Sequence, residues 1–361
     1  MLAIVLLVLA GCGRGKSEES HNGPEADVVS IGAAYPMAVL DKSSYYRWAL
    51  ETAAEEVNKN GGVLGKPLSI VFRDDKNDAR TAMQIAETFH NMGITAVIGH
   101  WSSDVCYYVE DIYEERGIVM ITPGANGRLV FEQEFQNIFR IIPDDNVYAR
   151  AMAEYAVLQG FRSMVIYYSE NTYGSSMAMA MERELAQRGI MVLDRISGIS
   201  PVNASTVMRR WRAFGCDGVI AAADVSVTTD VLTRIRDAGI MLPVFLTSSS
   251  FRRRSFEETM AGYIDRVYMF EHGSDLSGSD FVKNYSETWN DYPSVCEIAA
   301  YAAVHLLVYA MNTCRTLDSR YISAWLKNIN RYPTITGILS YNRQTQEFDG
   351  QYLQVKQLGR Q

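Results

Sequence analysis

The chain is short of the residues on which most enzymes and metalloproteins depend. Its 361 residues hold only five histidines and five cysteines. The histidines (His21, His90, His100, His272 and His305) form no H-E-x-x-H pattern, and the sequence has neither a G-x-S-x-G elbow nor a phosphate-binding P-loop. No C-x-x-C pair or Cys/His cluster has metal-ligand spacing, so no metal and no other cofactor is expected. His100 ends an apolar run and could act as a base, but a bonded structural histidine is the simpler reading. An enzyme is therefore not expected. Positive charge is also scarce. Lys and Arg total 34 against 42 Asp and Glu, and the net charge of −8 argues against nucleic acid or an anionic surface as partner.

What is present is a globular composition, 48% hydrophobic and 21% charged, in a chain long enough for two domains. The first twelve residues, MLAIVLLVLAGC, differ from the rest. This run falls below the ~20 apolar residues of a membrane-spanning helix and has the character of an export signal. Leu9-Ala10-Gly11-Cys12 resembles a bacterial lipobox, which implies removal of residues 1–11 and lipidation of Cys12. Residues 12–26 then form a polar Gly/Ser/Glu-rich tether. The other cysteines, Cys106, Cys216, Cys296 and Cys314, are expected to be free and buried. Cys296 and Cys314 bracket one helical pattern and would lie ~27 Å apart along it, too far for a disulfide.

From Val28 onward, apolar β-branched runs alternate with helical patterns: VVSIGAAY, a helix to Lys59, LSIVF, a helix over 79–92, AVIGH, a helix over 103–116, and VMIT. This rhythm predicts a parallel sheet covered by helices. It breaks at IFRII (138–142) and restarts with MVIYY, MVLDRIS, GVIAAA, PVFLTS and VYMFEH, each separated by a helical stretch except the last. Two Rossmann-like α/β lobes follow, one built from 27–142 plus 273–333 and the other from 143–272 plus 334–361. Three crossings between them would make a hinge. The apolar helix over 294–313 contains Glu297 and His305 and reads as a core helix. The tail reads as two strands around a turn at 342–346. In parallel α/β sheets ligands sit beyond the carboxyl ends of strands, which draws attention to Trp101-Ser102-Ser103 after AVIGH.

Taken together, EEVNKNGGVLGKPLSIVFRDDKND, AVIGHWSS, GIVMITPGAN and YYSENTYGSSM resemble the type I periplasmic solute-binding proteins of the branched-chain amino-acid (leucine/isoleucine/valine) family. The resemblance spans nearly the whole chain from Val28. It implies an extracytoplasmic receptor that closes two lobes on a small molecule and hands it to an ABC permease. Carried over to this chain, it implies that Ser103 meets a ligand carboxylate, and Ser102 beside it is expected to do the same. A hydroxyl beside a helix N-terminus is itself a natural anion site. The resemblance also implies that backbone groups of Gly124 and Ala125 and the side chain of Asn126 form a second ligand loop, and that Tyr173 closes from the other lobe. Three positions depart from the family, the first being Asn126, which replaces the usual threonine. Asp224 stands where a tyrosine is usual, and Thr247-Ser248-Ser249-Ser250, with Ser249 as the candidate contact, lacks the usual ammonium-binding acid. Either Asp224 takes over the ammonium, or the ligand is a carboxylate without one, which Arg252-Arg253-Arg254 would favour. A sensory receptor of the same fold, without transport, is the other open reading.

Overall fold

A computed structural model describes residues 28–43, 45–127, 134–198, 201–247, 253–272, 278–350 and 353–359. The expected export signal, Cys12, the tether, Arg252 and Ser249 lie outside these. In chain order the first elements are β1 (Val29–Tyr35), α1 (Met37–Ser43), α2 (Tyr46–Lys59), β2 (Leu68–Asp74), α3 (Ala79–Asn91), β3 (Ala96–Gly99), α4 (Ser103–Glu115), β4 (Val119–Thr122) and β5 (Ile138–Arg140). The second series is α5 (Asp145–Leu158), β6 (Ser163–Tyr168), α6 (Thr172–Gln187), β7 (Met191–Ile196), α7 (Pro201–Ala213), β8 (Gly218–Ala222), α8 (Val225–Asp237), β9 (Val244–Thr247), α9 (Arg253–Thr259) and β10 (Val267–His272). The chain finishes with α10 (Asp280–Trp289), α11 (Val295–Cys314), α12 (Ser319–Leu326), β11 (Tyr332–Thr334), β12 (Gly337–Asn342), β13 (Glu347–Asp349) and β14 (Leu353–Gln357).

These elements form two α/β lobes. The first sheet is parallel in the order β2-β1-β3-β4-β5, and the second runs β14-β10-β9-β8-β6-β7, parallel except for β14. Strands such as β3, β4 and β8 are buried at every position, as expected when helices cover both faces. In the first lobe α2, α11 and α12 cover one face while α3 and α4 cover the other. In the second, α7, α8 and α9 lie opposite α5 and α6. Helix α2 shows why the pattern was legible: Tyr46, Ala49, Leu50, Ala53, Ala54 and Val57 make one buried stripe at helical spacing. Gly62 then turns the chain at φ +72°, where a Cβ would lie 2.0 Å from the Lys66 carbonyl oxygen.

Helix α11 is the one described helix of membrane-spanning length and hydropathy, and it lies inside the first lobe. Its Glu297 is fully buried and accepts hydrogen bonds from the Tyr285 hydroxyl (2.8 Å) and the backbone N–H groups of Tyr45 and Ser294. At the other end Asn312 bonds Leu64 N–H and the Gly62 carbonyl. The polar ends thus tie the helix to two loops, and between them Tyr301 and His305 reach Glu56 of α2.

The expected division of the C-terminal tail needs correction. Leu339 and Phe348 are buried in the first lobe's core, and the β11-β12-β13 sheet packs there with them. Only β14 joins the second sheet. The third crossing therefore falls between Asp349 and Leu353 rather than near 334. Cys106, Cys216 and Cys296 are buried free thiols, whereas Cys314 is only half-buried.

Candidate functional site

A cavity of about 340 Å³ lies between the lobes, at the carboxyl ends of both parallel sheets. Ser102, Ser103, Gly124, Asn126, Tyr173 and Asp224 all line it. Ala125 does not; it is fully buried behind the wall.

On the first lobe the wall is built on the start of α4. Ser102 caps this helix, its Oγ accepting from the Val105 N–H at 3.2 Å, and the first helical bond runs from Cys106 N–H to the Ser102 carbonyl. The N–H groups of Ser103 and Asp104 precede that bond, at the positive end of the helix dipole. Ser103, only 3% exposed, accepts the Gly127 N–H on its Oγ at 3.2 Å, and its own proton is available for a further acceptor. Gly124 packs so close to Trp101 that a Cβ would sit 2.4 Å from the indole Cδ1 and 2.7 Å from the backbone oxygen. The expectation that the Gly124 and Ala125 backbones face a ligand needs correction for their N–H groups. Both donate to Thr122 Oγ1, at 3.3 and 3.0 Å, and Thr122 in turn donates to the His100 carbonyl at 2.7 Å. The loop therefore offers the Asn126 side chain rather than these amides.

His100 is fully buried, with Nδ1 2.7 Å from Asp75 Oδ2 and Nε2 3.1 Å from the Tyr113 hydroxyl. Both nitrogens are engaged and neither reaches the cavity wall, so a role as general base has no support in the geometry.

The second lobe presents a bonded polar wall. Asn171 caps α6 through its Oδ1, which accepts the Gly174 N–H at 2.8 Å, and its Nδ2 donates to Asp224 Oδ2 at 2.8 Å. Asp224 stands at the start of α8, and its N–H donates to Ser169 Oγ at 3.0 Å. The Tyr173 hydroxyl lies 2.8 Å from Thr247 Oγ1, joining α6 to the end of β9, and burial pushes its pKa up. The lobes meet where the Thr172 N–H donates to Asp104 Oδ1 at 3.0 Å. Among the described lining residues there is no lysine, arginine or histidine. Arg253 and Arg254 are spent elsewhere. Arg253 pairs with Glu271 and stacks on Tyr292, and Arg254 pairs with Glu258 and bonds Asn290.

Trp101, noted in the sequence, joins an apolar wall whose other members were not singled out there: Val39, Ile142, Val295 and Cys296. The last two begin α11, and the Ser294-x-x-Glu297 pattern ahead of an apolar run could have marked that helix start. Asp104, Asn171, Ser226 and Thr247 were also missed as contacts. Each sits at a helix start or strand end, the common address of the whole site.

Beneath the first-lobe wall, Glu110 of α4 is buried with its Oε2 unpartnered. Burial, aided by Asp111 and opposed by Arg140, pushes its carboxyl up to about 9. Between the ordinary value of 4.5 and about 9 the folded chain keeps a proton that the unfolded chain has lost. Stability from this group therefore falls as pH rises through that window. Glu110→Gln should remove the decline, so that the variant's Tm gains on wild type from pH 5 to pH 9 in paired melting curves. Parallel profiles would refute the buried protonated carboxyl.

Comparison with known proteins agrees with this architecture. The chain is 23% identical over 325 residues to the Leu/Ile/Val-binding protein homolog 2 of Brucella abortus, covering 88% of this chain and 86% of that protein. Among solved structures it superposes with TM-score 0.81 and 28% identity on an ABC transporter substrate-binding protein from Desulfitobacterium hafniense in complex with Leu, over 91% of this chain and 97% of that one. A solute-binding protein from R. palustris in complex with benzoate gives TM-score 0.77 at 17% identity, over 92% and 93% of the two chains, a likeness of fold alone. The model of the periplasmic binding protein family matches residues 28–358, and the chain belongs to that family.

Proposed function

We propose that the protein captures a small zwitterionic amino acid between its lobes and presents it to an ABC permease outside the cytoplasm. One observation carries the reading: the two sides of the cavity are chemically opposite. The first lobe offers the start of α4 with Ser102, Ser103 and the Asn126 side chain, donors suited to a carboxylate, while the Asp104 carboxylate beside them is taken up by the Thr172 N–H. The second offers the Asp224 carboxylate in a wall without cationic side chains among the described residues, suited to an ammonium. Val39, Ile142 and Val295 supply an apolar face for a side chain. At ~30 Å³ per water the cavity holds the equivalent of roughly a dozen waters, room for a small amino acid. The leucine complex of the Desulfitobacterium hafniense protein supports the same ligand class. A tether through lipidated Cys12 completes the proposal and is checked by the mass of the mature N-terminus.

The test is calorimetry and thermal shift with L-leucine, L-leucinamide, 4-methylpentanoate (the same chain without the ammonium) and benzoate. Leucine should bind more tightly than either of its truncated analogues. A ligand at a hundred times its Kd stabilises by about 2.7 kcal/mol, readily seen in melting. Equal binding of leucine and 4-methylpentanoate would overturn the ammonium assignment, and binding of benzoate alone would replace the ligand class.

A further inference from the structure

We infer that Arg140 is a positioning residue for the ligand loop, and that it makes the C-terminal hairpin a determinant of ligand affinity. This rests on the proposal that the interlobe cavity holds the ligand. Arg140 ends β5 and is 2% exposed. Its Nη1 donates to the carbonyl oxygens of Gly127 (3.1 Å) and Ala125 (3.4 Å), on either side of Asn126. The carbonyl between them, that of Asn126, accepts the Asp145 N–H at 3.2 Å. The Gly127 N–H goes to Ser103 Oγ. Three consecutive carbonyls and the amides of Gly124, Ala125 and Gly127 are thus held, and the loop side chain in the cavity is that of Asn126.

The other edge of the guanidinium is held by Glu347 of β13, which accepts from both Nε (3.2 Å) and Nη2. Phe348 stacks near-parallel on Phe139, with 6.1 Å between ring centroids, and so seats the hairpin beside Arg140. A planar fork can serve a carboxylate on one edge and two carbonyls on the other. A lysine ammonium is a single point and cannot span both. The chain links are long: Glu347 lies 207 residues from Arg140, does not line the cavity, and bears on the loop through Arg140.

The experiment compares wild type with Arg140→Lys, Glu347→Gln and a control, Ile322→Ala, in the same lobe's core but away from the loop. Each is measured for Tm, for Kd with L-leucine, and for hydrogen exchange of peptides spanning 120–127. Arg140→Lys and Glu347→Gln should raise Kd tenfold or more and speed exchange in that segment. Ile322→Ala should lower Tm while leaving Kd within twofold. If Kd follows Tm alike in all three variants, or if exchange over 120–127 is unchanged, Arg140 is a structural ion pair only and the inference falls. Glu347→Gln carries the test should Arg140→Lys fail to fold. Failure of wild type to bind leucine would count against the amino-acid reading and not against Arg140, because exchange in the ligand-free protein still decides whether the loop depends on it.

Discussion

Asp224→Asn should raise the Kd for leucine by about 30-fold or more. Removing one partner of a desolvated charge pair costs on the order of 2–5 kcal/mol, and 1.4 kcal/mol is a factor of ten. The substitution is nearly isosteric, and an asparagine oxygen can still accept from Asn171 Nδ2, the bond that orients Asp224 in the wall. The fold and the cavity shape should therefore survive, and the loss should appear as affinity with little change in Tm. A second arm makes the result specific. For 4-methylpentanoate, which has no ammonium to pair, the same variant should bind as well as wild type or better, because a like charge has left the cavity. A change of less than threefold for leucine, or an equal loss for both ligands, would remove Asp224 from the ammonium role.

Gly174→Ala should cost both stability and binding. A Cβ on Gly174 would lie 2.2 Å from the Ser169 carbonyl oxygen, 2.7 Å from its nitrogen and 2.9 Å from its carbonyl carbon. All three are backbone atoms, so no side chain can swing away to relieve the clash. Overpacking of this kind costs roughly 1–3 kcal/mol, a Tm loss of several degrees for a domain of this size. The displaced turn carries Asn171, which bonds both Gly174 and Asp224, and it starts the helix that holds Tyr173 against Thr247. A shift there moves the whole second-lobe wall. Gly198→Ala, where a Cβ meets nothing within 4 Å, is the matched control and should be near neutral. A Gly174→Ala protein with wild-type Tm and Kd would show that the turn is looser than its contacts imply.

Much of the fold was legible because buried strands and amphipathic helices alternate with so little interruption. The tail was not, for a physical reason. Leu339 and Phe348 are apolar residues in short strands, and such strands can bury against either lobe; Phe139, on which Phe348 stacks, is two hundred residues away. The site was legible where chemistry follows from a helix start. Ser102, Ser103, Tyr173 and Asp224 stand in or beside first helical turns and meet at one cavity. Orientation was not legible. The Gly124 and Ala125 amides turn inward because Thr122 offers an acceptor, and nothing in the loop's own residues announces that. The turn at Gly61–Gly65, part of the first stretch that carries the resemblance, serves packing. It docks on Asn312 of α11, and from its vicinity only Asn77 reaches the cavity.

The place of Cys296 has a practical consequence. Its thiol lines the cavity from the first turn of α11, and burial pushes its pKa up to about 12. Cys296 is 3% exposed and lines the interlobe cavity, so a maleimide that enters the cavity meets it and reacts with the thiolate that burial suppresses. With lobes that open and close on a ligand, as proposed, the rate at which this one sulfur is alkylated is a clock for that opening. Mass spectrometry can read that clock peptide by peptide, separating Cys296 from the half-buried Cys314, with no dye or spin label added to the protein.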